Sequence, residues 1–308
     1  MWKTLIRPGM IFIPFTLGAL LPQAHVYSWL IRWALVFMLY MVCLQLKFAK
    51  LKPQKEHFRL VTANILLGIG PYLLFHFLGR EELALAAFFV GITPTANAAP
   101  VVIGFLHGRV EFVVTGFAMT NAGVSLALLV LLPLVTGNPS LEFVGRVAEQ
   151  LLIIMCLPLV LAMITRLIIP RAKEWPSHCR TLQFGAWSFT LFLIAAGASY
   201  FFKTHPDVAW TVLLEIAAIS LLLCMVNFIL GFWLGNWRLR RECSQTLGQK
   251  NTTFTLYLAM TFVNPLVAMG PVFYVLWHNC WNALQMFWYD RRRTCRYAQV
   301  RAAANDPD

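Results

Sequence analysis

Gly91-Ile-Thr-Pro-Thr-Ala-Asn-Ala-Ala-Pro100 and Gly248-Gln-Lys-Asn-Thr-Thr253 are polar or proline-broken segments inside otherwise apolar stretches, and they lie about half of the 308-residue chain apart. In a membrane protein, Gly- or Pro-interrupted spans at matching positions of two halves mark a carrier built from repeats, with its site at the breaks. The fold therefore turns on whether the surrounding sequence crosses a membrane.

Composition says that it does. Hydrophobic residues make up 59% of the chain and charged ones 12%, and the mean hydropathy is +0.67. That is roughly half the charge of an ordinary soluble domain. Apolar runs of about 20 residues, the length that crosses a hydrocarbon core about 30 Å thick as a helix, recur from end to end. The runs are continuous rather than alternating, which argues for helices and against a barrel. Ten spans are read: Gly9 to Leu21, Ser28 to Leu46, Phe58 to Leu78, Leu83 to Leu106, Val110 to Val135, Val147 to Ile169, Leu182 to Phe202, Val208 to Gly235, Ser244 to Val263 and Leu266 to Tyr289. The expected fold is an all-α integral membrane protein, a single transporter domain over residues 1–308.

A net charge of +12 raises nucleic acid as a partner, but the basic residues sit in loops rather than along a stripe. Lys47, Lys50, Lys52, Lys55 and Arg59 follow span two; Arg171, Lys173 and Arg180 follow span six; Arg238, Arg240 and Arg241 follow span eight. Arg291, Arg292, Arg293, Arg296 and Arg301 close the chain, while the opposite loops carry little beyond Arg80, Arg146 and Lys203. Lys and Arg are retained on the cytoplasmic side, so ten spans with both termini inside a cell (inner or plasma) membrane satisfy the pattern. The expected partners are the lipid bilayer, its anionic headgroups facing the C-terminal arginines, and a small substrate, with no nucleic acid. Lys3 and Arg7 before a short apolar run also fit a signal peptide. No clear small-x-small cleavage pattern precedes His25, and removal would leave nine spans, so the segment is read as a retained helix. The seven cysteines are scattered, without paired metal spacing, and read as packing residues.

Five spans precede Gly137 and five follow Gly145, so the second half enters the membrane from the opposite side. Repeats over about 9–137 and 145–289 are then inverted, the symmetry that lets one site open to either face in turn. Gly137-Asn-Pro-Ser140 is the joint, and the polar tail Ala302 to Asp308 is expected to be disordered.

Pro94 and Pro100 each lack an N–H and clash with the preceding turn, so span four is not expected to run straight. Freed backbone groups must find partners in lipid. They can hold an ion or an anionic group, with Thr93, Thr95 and Asn97 supplying side-chain oxygens; a packed proline kink is the plainer alternative. In the second break, Gln249, Lys250, Asn251, Thr252 and Thr253 form a polar run. An intramembrane lysine marks a pathway or counter-charge, or else snorkels to the interface. Asn121 and Ser125 share a face of span five, as Asn64 and Gly68 do in span three, and His278, Asn279 and Asn282 cluster in span ten. Glu215 is the acid well inside span eight, and His76 and His107 read as interfacial. Each of these is also explained by a hydrogen bond to a neighbouring helix.

At these residues the chain resembles the bile acid:sodium symporter family. Gly91-x-x-Pro94 through Pro100-Val-Val-Ile-Gly-Phe-Leu-His-Gly-Arg-Val110 looks like that family's broken helix, short turn and following helix. Gly248-Gln-Lys-Asn251 looks like its Gly-x-Gln-Asn crossover, and Leu276-Trp-His-Asn279 matches its Trp-His-Asn element. The resemblance implies a panel of spans one, two, six and seven, a core of spans three to five and eight to ten with two crossing broken helices, and transport of organic anions, usually with sodium. This sequence departs from the pattern. Ala99-Pro100 stands where the family places Ser-Asn, Val113 and Phe117 where it places hydroxyls, Thr246 where it places an acid, and Lys250 where it places a glutamine ligand.

Both sodium sites thus look dismantled by comparison with the family. Lys250 is expected to replace the cation and attract an anionic substrate, with proton coupling or no coupling ion favoured over sodium. The reading is a secondary transporter, by alternating access, for an organic anion of the bile acid, steroid or carboxylate type. No cofactor, metal site or catalytic residue is expected. A proton-coupled exporter of a small oxyanion such as arsenite is the alternative, weakened because no cysteine lies between Gly91 and Gly108. A membrane sensor or intramembrane enzyme would need an output domain or a nucleophile–base pair that the sequence does not display.

Overall fold

The computed structural model describes residues 13–46, 51–206 and 210–304, of which position 180 and those from 290 onward are described by backbone alone. The start of span one with Lys3 and Arg7, Lys47 and Lys50, Val208, and residues 305–308 of the tail lie outside the described residues. The described residues are helical, with no strand. In chain order the helices of seven residues or more are α1 (13–20), α2 (Leu30–Gln45), α3 (Lys55–Phe77), α4 (Glu81–Ile92), α5 (Ala99–Phe105) and α6 (Val110–Val135). They continue with α7 (Leu141–Ile168), α8 (Arg180–Thr204), α9 (Trp210–Leu234), α10 (Arg240–Gly248), α11 (Thr252–Phe262) and α12 (Pro265–Ala304).

Five of these, α3, α6, α7, α8 and α9, are long and apolar enough to cross a membrane. At 1.5 Å per residue, the 23 residues of α3 reach about 35 Å, against a core of about 30 Å. This is the composition of a multi-pass membrane protein. The distribution of side chains agrees: Phe77, Leu167 and Trp233 are exposed, while Asn64, Thr93, Thr95, Asn121 and Lys250 are buried. A water-soluble fold buries its apolar side chains and leaves such polar groups outside.

Local chemistry sets the boundaries. Gly137, at φ +66°, takes the left-handed conformation that ends α6, and the Ser140 hydroxyl accepts the Phe143 N–H at 3.2 Å to start α7. α7 begins six residues earlier than expected and passes through a π-helical turn at Leu152–Cys156, just before Pro158, whose missing N–H such a turn accommodates. α12 outruns span ten. No glycine or proline interrupts the chain between Pro271 and Pro307, and the helix runs through the arginines to Ala304. The first residues of the tail expected to be disordered are therefore helical.

Spans four and nine are each two short helices. α4 and α5 have 12 and 7 residues, α10 and α11 have 9 and 11, and none alone reaches across about 30 Å. α4 is largely enclosed: every residue from Leu83 to Ile92 except Leu85 is buried, with α3, α9, α11 and α12 packed around it. Elsewhere α2 packs against α7 and α8.

Candidate functional site

The two breaks meet. Pro94 has no N–H, and the residue before it, Thr93, is pushed out of the helical region to φ −50°, ψ 127°, so α4 ends there. The chain resumes as α5 only at Ala99. In the second half, Gln249 to Asn251 separate α10 from α11. The freed backbone groups satisfy one another: the Ala96 N–H donates to the Gln249 carbonyl at 2.7 Å and the Asn251 N–H to the Pro94 carbonyl at 2.8 Å. Thr95 and Lys250 thereby form an isolated antiparallel bridge. The accounting that lipid imposes on a broken helix is met by a second broken helix. Close approach is secured by glycine: a Cβ on Gly91 would collide with the Leu67 carbonyl of α3, and one on Gly248 with the Phe228 ring of α9.

Hydroxyls and amides pin the first break from the side. The Thr95 N–H donates to Thr120 Oγ1 at 3.2 Å, and Thr120 Oγ1 donates to Thr95 Oγ1 at 2.8 Å. Thr95 Oγ1 donates to the Thr246 carbonyl, and Asn121 Nδ2 to the Thr95 carbonyl at 2.9 Å. Thr93 and Thr255 share a hydroxyl–hydroxyl bond of 2.7 Å. These groups are buried, so each unmade bond would leave a polar atom stranded in an apolar surround.

Lys250 lies at the centre. Its side chain is 1% exposed, and Nζ donates to Asn64 Oδ1 of α3 and, at 2.9 Å, to the Gly91 carbonyl of α4. It turns inward, so the snorkelling alternative does not describe it. Among the described residues, the ion pairs are His76–Glu81 and Arg80–Glu215, and no carboxylate pairs with Lys250. Lys250 Nζ is held by a neutral amide oxygen and a peptide oxygen, the ligand types that hold alkali and alkaline-earth cations. Glu215, singled out as an acid inside span eight, spends its charge on exposed Arg80 instead.

Beside the crossover is a cavity of about 160 Å³, walled on one side by Leu35, Met38 and Leu39 of α2 with Trp187 of α8. The other side brings together Asn97, Gln249, Lys250, Asn251, Thr252, Thr253, His278 and Asn279, with no acidic residue among the described ones. His278 is buried and its Nδ1 has no hydrogen-bond partner. Thr252 and Thr253 open α11, and no side chain caps its N-terminus. A helix start of this kind offers unmet N–H groups and a partial positive charge to an anion.

Other expected site residues lie apart from the cavity. Pro100 occupies the first turn of α5, where its missing N–H costs nothing. Ser125 is half-buried with an unpartnered Oγ, and Thr93, Pro94, Thr95, Asn121 and Thr246 form the scaffold behind the wall. Asn64, Thr120 and Thr255 belong to the site without having been assigned to it from sequence. Asn64 was visible as an amide in an apolar span; Thr120 and Thr255 gave no signal beyond being hydroxyls on apolar helices. From Gln249 a line of amides leads away: Asn282 Nδ2 donates to Gln249 Oε1, and Gln245 Nε2 donates to Asn282 Oδ1 at 3.2 Å and to Gln285 Oε1 at 2.6 Å.

No cluster of three or more metal-ligating side chains occurs among the described residues. No protein-family model matches the chain, and no curated protein is found similar to it.

Proposed function

We propose that this protein is a secondary transporter that carries a small organic anion by alternating access, with the Lys250 ammonium acting as a built-in cation at the crossing of two inverted five-span repeats. One observation carries the reading: a buried lysine, with no carboxylate paired to it, joins the two breaks by holding Asn64 and the Gly91 carbonyl. Burying an ammonium costs several kcal/mol and is retained where charge has a task. Here two oxygen ligands hold it, which fits a carrier of the bile acid:sodium symporter type whose sodium has been exchanged for a side chain.

In this reading the α1, α2, α7 and α8 group is the panel, and α3 to α6 with α9 to α12 is the moving core. The cavity lies between them, so rocking of core against panel would expose it to one face and then the other. The substrate's negative group would take the N–H groups that open α11 and the Asn251, Thr252 and Asn279 side chains. The apolar panel wall of Leu35, Leu39 and Trp187 would take its hydrocarbon part. Size sharpens the substrate class. A cavity of about 150 Å³ admits benzene in an engineered lysozyme, so about 160 Å³ suits a carboxylate of a few carbons in this conformation better than a steroid.

The test is a thermal-shift series on purified protein with short-chain carboxylates. A ligand that binds the folded state raises its stability according to concentration over Kd. Short carboxylates should raise the Tm of the wild type and leave Lys250→Met unmoved. Equal shifts in both proteins would remove the lysine from the binding account.

A further inference from the structure

At the far end of the amide line from Gln249 lies a second opening, of about 700 Å³, between α9, α10 and α12. Its walls are Ile229, Phe232 and Trp233 of α9 and Trp288 of α12, all exposed on the outer face of the helices. Its inner end is polar. Gln245, 1% exposed, presents a buried Oε1 that has no hydrogen-bond partner, and the Trp281 Nε1–H is likewise buried and unpartnered. Arg241 lines the same end; Nη1 donates to the Leu106 carbonyl at 3.3 Å, which uses one of the guanidinium's five N–H donors. Among the described residues, no acidic one lines the opening.

This is not part of the cavity at the crossover: no lining residue is shared between the two. Unmet donors and acceptors at a buried floor call for a polar ligand group, and an arginine beside them calls for an anionic one, for which a phosphate is the geometric match. The walls call for something else. A water-soluble anion would gain nothing from four exposed apolar side chains, whereas an acyl chain would cover them at about 25 cal/mol per Å² of apolar surface.

We infer that this groove is a binding site for one anionic phospholipid with a hydroxylated headgroup, its phosphodiester accepting from Arg241 and the Trp281 Nε1–H, a headgroup hydroxyl donating to Gln245 Oε1, and an acyl chain lying along Ile229, Phe232, Trp233 and Trp288. Basic pockets between membrane helices are the usual seats of acidic lipid headgroups. The inference needs the chain to lie in a bilayer and does not need it to be a transporter.

The experiment is native mass spectrometry of the full chain in a neutral detergent, titrated in parallel with phosphatidylglycerol and phosphatidylcholine. A single phosphatidylglycerol should be retained over phosphatidylcholine by at least about fivefold, the ratio for roughly 1 kcal/mol per basic contact. Arg241→Gln should bring phosphatidylglycerol down to the phosphatidylcholine level, and Arg146→Gln, at the start of α7, should leave it unchanged. Because Arg241 also holds the Leu106 carbonyl, a second variant guards the test: Trp233→Ala, on an exposed wall, should lower retention of both lipids without lowering Tm. Equal retention of the two lipids by the wild type would overturn the site, as would an Arg241→Gln protein that keeps its preference. Full displacement of the lipid by millimolar inorganic phosphate would also overturn it, since the site would then be one for a small oxyanion.

Discussion

The two breaks come from opposite halves of the chain and meet in one place, yet they bring different things to it. The first, Thr93 to Ala98, is neutral and is fixed by hydroxyls of α6 and α11, an amide of α6 and a backbone carbonyl of α10. The second, Gln249 to Asn251, is fixed by the first and by the Tyr274 hydroxyl, which donates to the Gly248 carbonyl at 2.8 Å. It alone brings an ionisable side chain. Matching backbone breaks thus provide the frame, and one side chain makes the frame chemically asymmetric. The two oxygen partners come from the first half, as Asn64 and Gly91, and the lysine from the second.

That asymmetry can be broken from either side. Removing the cage should hurt most: Asn64→Leu leaves a buried ammonium short of a ligand and should cost about 2–3 kcal/mol in thermal unfolding, the range for a hydrogen bond to a charged group. Adding Lys250→Met to Asn64→Leu should return much of that loss, because the uncompensated charge goes with it. If the two losses simply add, cage and cation are not one unit. On the neutral side, Thr95→Val strands the Thr246 carbonyl and should cost about 1–2 kcal/mol while leaving anion selectivity intact. The exposed Arg80–Glu215 pair marks the lower end: Arg80→Gln should change stability by less than about 1 kcal/mol, and less again in high salt.

How much of this could be read beforehand depends on the range of the interaction. The breaks were legible because Pro94, Pro100 and the run from Gln249 to Thr253 violate an apolar pattern locally, and local violations survive in sequence. That the breaks pair, with Thr95 opposite Lys250, was not legible without the family likeness, because antiparallel register between residues half a chain apart leaves no periodic trace. The direction of the Lys250 side chain was equally hidden: snorkelling and inward burial differ by a rotamer, and Asn64 and Gly91 decide it. Asn64 was seen as an amide on a helix face but could not be assigned a partner. The groove at Arg241 is concealed for another reason: tryptophans are common in membrane spans, so Trp233, Trp281 and Trp288 do not stand out, and the buried Gln245 has no pattern to announce it. The long α12 was there to be read in the lack of any glycine or proline after Pro271.

In the proposed function, Lys250 stands in for a bound cation. The decisive experiment is uptake of a stabilising carboxylate into proteoliposomes, with a sodium gradient and with sodium replaced by choline. Equal initial rates under the two conditions are predicted for the wild type, with a loss of at least about tenfold in Lys250→Met, the effect of roughly 1.4 kcal/mol. Uptake that requires the sodium gradient, or that survives the loss of the lysine, would contradict it.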